Sequence, residues 1–234
     1  MGTLTNFQKW TVAQVVFVLC LYSGYSQMNH EQDPFNQRLG LNYGQGTQQS
    51  FPFSSDSYTY DVSFIKINYN LNLTKVNKMR IGLNIEPGIY FSTQGEFPKI
   101  EASSKEVKAV SKTSETSTAE PAVMLQRDMN EYVLNLGLQM SYTLQKNLDW
   151  YVLGSVGPMI IDTETYRQKK GFAFSDILAT GFLYRINSVM VDLRYGVRHV
   201  SNAGFGRPNA GYNSTNLEMG FSIPLRRSPK KFSS

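Results

Sequence analysis

The feature that most constrains this chain is a long alternation of side chains with a period of two. From Met79 to Phe91 the odd positions are Met79, Ile81, Leu83, Ile85, Pro87, Ile89 and Phe91, whereas the even ones include Arg80, Gly82, Asn84, Glu86 and Gly88. The pattern returns in opposite phase between Glu131 and Gln145. There Tyr132, Leu134, Leu136, Leu138, Met140, Tyr142 and Leu144 stand against Glu131, Asn135, Gln139, Ser141 and Thr143. Successive side chains on a strand project to opposite faces, so each run has one apolar and one polar face. Both runs exceed the five or six residues common in globular strands. They match the about ten residues that a tilted strand needs to cross a bilayer. Long strands that are apolar outside and polar inside are the signature of an outer-membrane barrel.

Counting such segments gives eight candidate strands, at approximately 37–46, 56–73, 78–93, 131–145, 148–162, 171–186, 188–201 and 213–225. The second changes phase near Phe64–Ile65, which reads as a β-bulge. The fifth and sixth alternate poorly, and their limits are soft. Tight turns at Lys75–Lys78, Gln145–Asn147 and Ile186–Ser188 alternate along the chain with longer links near 47–55, 94–130, 162–170 and 202–212. Short periplasmic turns and long extracellular loops alternate in just this way in transmembrane barrels. The expected fold is therefore all-β: an eight-stranded antiparallel transmembrane outer-membrane β-barrel over 37–225, with 94–130 as its long extracellular loop.

The N-terminus reads as an export signal. Lys9 precedes an apolar run from Trp10 to Tyr22, followed by Ser23, Gly24 and Ser26. A positive start, a short apolar core and a small-residue exit describe a secretory signal peptide. Residues 1–26 are assigned to it and 27–36 to a periplasmic segment ahead of the barrel. The one cysteine, Cys20, lies inside the leader, with Val18 and Leu19 where a lipid-attachment signal needs small residues. The mature chain then offers no disulfide and no thiolate metal site. Processing removes Lys9 from the 23 basic residues, against 18 acidic ones, and Arg226, Arg227, Lys230 and Lys231 of the tail 226–234 account for the remaining excess. That basic tail reads as a solvated periplasmic end, and the balanced remainder gives no nucleic-acid surface.

The seventh strand carries the anomaly. Its outward face reads Val189, Val191, Leu193, Tyr195 and Val197, then ends in His199 and Ser201. Residues two apart on a strand share a face, with α-carbons roughly 6.5–7 Å apart, so an imidazole and a serine hydroxyl can meet there. Serine becomes nucleophilic when a base takes its proton, and histidine is the usual base near neutral pH. The bland alternative is a polar girdle residue beside an ordinary strand end. The other histidine, His30, lies among polar residues near the cleavage site, which leaves His199 as the credible base.

The text from Arg198-His199-Val200-Ser201-Asn202-Ala203-Gly204 to Pro208-Asn209-Ala210-Gly211-Tyr212-Asn213-Ser214 resembles the C-terminal signature of the PagL-type lipid A 3-O-deacylases. These are eight-stranded outer-membrane barrels with a His-x-Ser-Asn motif followed by Pro-Asn-x-Gly. The resemblance implies hydrolysis of the ester-linked acyl chain at position 3 of lipid A. It makes Ser201 the nucleophile, His199 the general base and Asn202 an oxyanion-hole donor, helped by the backbone amide of Gly204. The family carries an acid twelve positions after the serine; this chain has Asn213. Strand parity places Asn213 on the outward face and sends Glu218 inside, so Glu218 is no substitute. An amide can still hold the imidazole ring and its tautomer.

The expected partner is lipid A, or lipopolysaccharide, of the outer leaflet, with a homodimer open as an assembly. No cofactor is expected. A metal site rich in histidine or cysteine is excluded, though a loop-bound divalent cation held by carboxylates stays open. The chain also lacks a Gly-rich phosphate loop and a Gly-x-Ser-x-Gly elbow. The alternative is a non-catalytic lipid-binding barrel, or a structural one whose extracellular loop is the functional part.

Overall fold

The computed structural model describes residues 35–53, 58–96 and 125–225. The leader with Cys20, the basic tail and the middle of the 94–130 loop lie outside the described residues. Eight strands close one antiparallel barrel in chain order: β1 (Gln37–Thr47), β2 (Tyr58–Val76), β3 (Met79–Glu96), β4 (Leu125–Gln145), β5 (Leu148–Ile161), β6 (Gly171–Ile186), β7 (Val189–Ser201) and β8 (Tyr212–Pro224). The first strand pairs with both β2 and β8, so no edge is left open. Two of the tight turns pivot on Asn77 and Asn187, each with φ near +50°, a conformation that asparagine tolerates better than most residues.

The outer wall is the apolar one. Leu39, Ile65, Phe91, Leu134, Val156, Leu178, Leu193 and Met219 are exposed, and water is a poor solvent for such a belt. Lipid is the solvent that it fits. The lumen is filled with side chains, as expected for the smallest usual barrel, and it holds both polar and apolar layers. Near the middle Lys66 bridges Glu86 (3.1 Å) and Glu218 (2.7 Å), while Arg194 reaches Glu86 (2.7 Å) and Asp192 (3.2 Å). Losing one partner of such a buried pair strands a charge, at a cost of about 3–5 kcal/mol. Above it, towards the rim with the long links, Tyr60, Val62, Phe64, Tyr90 and Tyr212 pack together.

Two expectations change. The bulge read at Phe64–Ile65 is not there: Phe64, Ile65 and Lys66 pair in unbroken register with Tyr90, Ile89 and Gly88. What changes at that point is the chemistry of the lumen, from aromatic Tyr60 and Phe64 to polar Lys66 and Asn68, all pointing inward. The register slips instead between Asn72 and Thr74. Second, β4 begins at Leu125 rather than at 131, and its first residues pair with the end of β3. Gln126, Arg127 and Asp128 are exposed. This hairpin extension stands beyond the apolar belt, where no alternation is required, and so leaves no period-two signal.

Candidate active site on the outer rim

The site sits where β7 and β8 part. His199 pairs with Asn213 in the last but one rung of their ladder, and Val200 with Tyr212 in the last. His199 is exposed and Ser201 and Asn213 are partly exposed, all on the outer wall. Arg198, Val200, Tyr212 and Ser214, which alternate with them, are buried in the lumen. Glu218 is inside as well, paired with Lys66.

His199 Nδ1 lies 2.7 Å from Asn213 Oδ1. A carbonyl oxygen only accepts, so Nδ1–H donates and Nε2 is left with a free lone pair. Gly211 sits beside the His199 and Ser201 side chains. A β-carbon on it would lie 3.5 Å from His199 Cε1 and 3.6 Å from Ser201 Cβ, so the imidazole edge and the serine both flank this glycine. The same β-carbon would stand 2.5 Å from the Val200 carbonyl oxygen, and Gly211 has φ +63°. Both facts require glycine here. Gly211→Ala is therefore expected to lower any turnover at the site by about tenfold or more, since the left-handed backbone alone costs an alanine about 1–2 kcal/mol. A barrel that folds normally, judged by heat-modifiable electrophoretic mobility, and turns over at the wild-type rate would refute this.

The two donors expected to form an oxyanion hole are engaged within the loop. Asn202 is buried, and its Nδ2 donates to the carbonyls of Gly206 (3.0 Å) and Pro208 (3.3 Å). The Gly204 N–H donates to Asn202 Oδ1 (3.1 Å). Asn202 is thus the internal brace of the β7–β8 loop, with Ala203 (φ +50°) and Gly204 (φ +86°) forming its turn. Asn209 bonds back to the strand end: its Oδ1 accepts the Asn202 N–H at 2.9 Å. That bond fixes the Asn209 carboxamide beside Ser201 and leaves its Nδ2 for another acceptor.

Two further residues escaped sequence reading. Arg167, in the link between β5 and β6, donates to the Gly211 carbonyl (2.9 Å) and lies 3.9 Å over the ring of Tyr58. It clamps the end of the β7–β8 loop onto β2. Asp176 of β6 stands directly across from His199 and is exposed on the outer wall. Its signal was parity: Phe174, Asp176 and Leu178 share a face, which puts a carboxylate in an apolar row. Small inward residues, Ala173, Ser175, Ala179 and Gly181, blurred that alternation.

An apolar groove crosses the outer wall towards this site. Ser201 pairs with Phe174, Phe174 with Pro158, and farther round Leu134 with Pro87. Pro158, Leu134, Pro87 and Gly88 line the groove, with Ile160, Tyr132 and Ile89 beside them. Among the described residues no group of histidine, cysteine and carboxylate side chains is placed to hold a metal ion.

A closed eight-stranded barrel with an apolar outer wall and a polar cluster on its rim defines an integral outer-membrane β-barrel protein. Residues 122–222, just under half of the chain, match the family model described as lipid A 3-O-deacylase (PagL). The resemblance to that family is thus shown, and it reaches beyond the Arg198–Ser214 text to every strand from β4 to β8. The chain is similar to the crystal structure of the outer membrane enzyme PagL, at 14% identity over 80% of this chain and 99% of that one, with a TM-score of 0.48. It is also similar to neisserial surface protein A (14% identity, 81% and 97% covered, TM-score 0.40). A third likeness is to Ail of Yersinia pestis (8% identity, 80% and 96% covered, TM-score 0.39). Likenesses at this level say nothing of the site. Comparison with curated proteins gives no match.

Proposed function

We propose that this barrel is a serine esterase that removes an ester-linked acyl chain from lipid A, in a 3-O-deacylation. The observation that carries the reading is the outward His199–Asn213 pair, which flanks Gly211 together with Ser201, within the region that matches the deacylase family. The ester of a membrane lipid reaches such a site from the side, without leaving the bilayer.

His199 Nε2 takes the Ser201 proton as Oγ attacks the ester carbonyl carbon. The carbonyl π pair moves to oxygen, giving a tetrahedral oxyanion. Its collapse breaks the ester C–O bond, and the imidazolium returns the proton to the departing sugar oxygen. Water then attacks the acyl-serine with the same base, releasing the fatty acid and restoring Ser201. The groove from Phe172 past Pro158 and Leu134 to Pro87 supplies an apolar track for the acyl chain. Asn209 Nδ2 is the donor left beside the serine to meet the oxyanion.

The neutral Asn213 holds the ring but does not balance the imidazolium. Asp176, across the other seam, supplies that charge. Asn213→Glu is expected to raise kcat several-fold, because a carboxylate stabilises the charged ring as well as orienting it. Asp176→Asn should lower kcat about tenfold, and less in the Asn213→Glu background. Rates on purified lipid A for the two single variants and the double decide it; strictly additive effects would sink the shared role.

The test of the function itself is mass spectrometry of lipid A from cells expressing the wild-type chain. Loss of one ester-linked acyl chain is expected. An unchanged lipid profile would favour a lipid-binding or structural barrel.

A further inference from the structure

We infer that Glu131, on the lumen side of β4, is a positioning residue that holds the outer site in register from inside the barrel; this rests on the deacylase reading above. Glu131 is fully buried and gathers four donors. Its Oε1 accepts from the hydroxyls of Tyr60 (2.7 Å), Ser92 (2.7 Å) and Tyr212 (2.9 Å), and its Oε2 from Arg198 Nη2 (2.7 Å). Two of these are immediate neighbours of the site in sequence. Arg198 precedes His199 on β7, and Tyr212 precedes Asn213 on β8.

Side chains alternate across a strand, so an inward residue and its outward neighbour share one peptide plane. Turning that plane moves both. The His199–Asn213 rung lies at the end of its ladder, with one rung beyond it before the strands separate. Ladder ends open more readily than ladder centres. Here one carboxylate on the opposite side of the barrel ties down both strands at that point. Arg198 is held further by Ser175 Oγ of β6 (2.8 Å) and lies 4.0 Å over the ring of Tyr90, so the strand bearing the base has little freedom to roll. The 2.7 Å His199–Asn213 bond outside is thereby set by bonds inside, though Glu131 touches neither residue.

Ser92 supplies the control. Its hydroxyl also donates to Glu131 Oε1 (2.7 Å), but from β3, and its other side-chain bond is to Tyr60 Oη (3.0 Å). Tyr60 would not serve, because its hydroxyl also accepts from Arg198 Nη1 (3.2 Å) and its ring stacks on Tyr212. Tyr212→Phe is expected to lower kcat about tenfold on purified lipid A with KM nearly unchanged, and Ser92→Ala less than about twofold, although each removes one buried hydroxyl from Glu131. Glu131→Gln should lose at least as much as Tyr212→Phe. Nitrogen-15 NMR of His199 in detergent micelles gives a reading independent of turnover. The wild type and Ser92→Ala should keep the Nδ1–H tautomer, and Tyr212→Phe should show a mixture. Equal effects from Ser92→Ala and Tyr212→Phe, or none from Tyr212→Phe, would overturn the inference. If the wild type proves inactive on lipid A, the deacylase reading falls, and the His199 tautomer alone decides whether Glu131 positions the ring.

Discussion

Cells expressing Ser201→Ala should retain every ester-linked acyl chain of their lipid A, with the barrel folded and inserted as in the wild type. The expected loss is large because, in the proposed reaction, the hydroxyl oxygen is the bond-forming atom. Without it the acyl-serine cannot form, and what remains is slow attack by water, with kcat at least about a thousandfold lower. Nothing in the packing opposes the substitution. Ser201 is partly exposed at the last position of β7, and its partner Phe174 is an apolar neighbour rather than a hydrogen-bond acceptor. The hydroxyl therefore has no structural duty that its removal would expose, and heat-modifiable mobility should be unchanged. On the same reading substrate binding should persist, so an excess of the variant over lipid A should slow deacylation by the wild-type chain. Release of fatty acid by Ser201→Ala at a rate near that of the wild type would exclude Ser201 as nucleophile.

Much of this was legible along a single strand. Parity depends only on which residues are two apart. It put His199 and Ser201 outside on β7, Asn213 outside and Glu218 inside on β8, and each lies there in the structure. Strand parity gave way where lumen and lipid face share a chemistry. Tyr60, Val62 and Phe64 point inward although apolar, which is why an aromatic layer read as a bulge. Relations between strands were out of reach for a different reason. Asp176 faces His199 through the register of the β6–β7 hairpin, which parity within one strand does not give, and Glu131 gathers Arg198 and Tyr212 from strands three and four away in the chain. No local period records a register between strands. The Asn202 side chain was out of reach for another reason: it is adjacent to the serine in sequence, yet it turns inward to brace its own loop.

That inward turn makes Asn209 the residue whose replacement should cost most after Ser201 and His199. Its two amide atoms do different work, and the difference can be tested. Asn209 Oδ1 accepts the Asn202 N–H and so shapes the loop; Nδ2 is the proposed oxyanion donor. Alanine would remove both at once and leave the cause ambiguous. Asn209→Asp keeps an oxygen for the Asn202 N–H and replaces the donor with a second oxygen that bears negative charge. The loop should hold, while the developing oxyanion loses a hydrogen bond and gains a repulsive neighbour. Removing one such donor costs about a hundred- to a thousandfold in kcat, and the added charge pushes Asn209→Asp towards the larger figure. KM should change little, because the ground-state ester carbonyl is neutral and gains less from the bond than the oxyanion does. Lowering the pH towards the ordinary carboxylate range should restore part of the rate in Asn209→Asp relative to wild type, since a protonated carboxyl can donate again. A variant with the wild-type kcat would remove Asn209 from the oxyanion site and return that role to the loop's backbone amides.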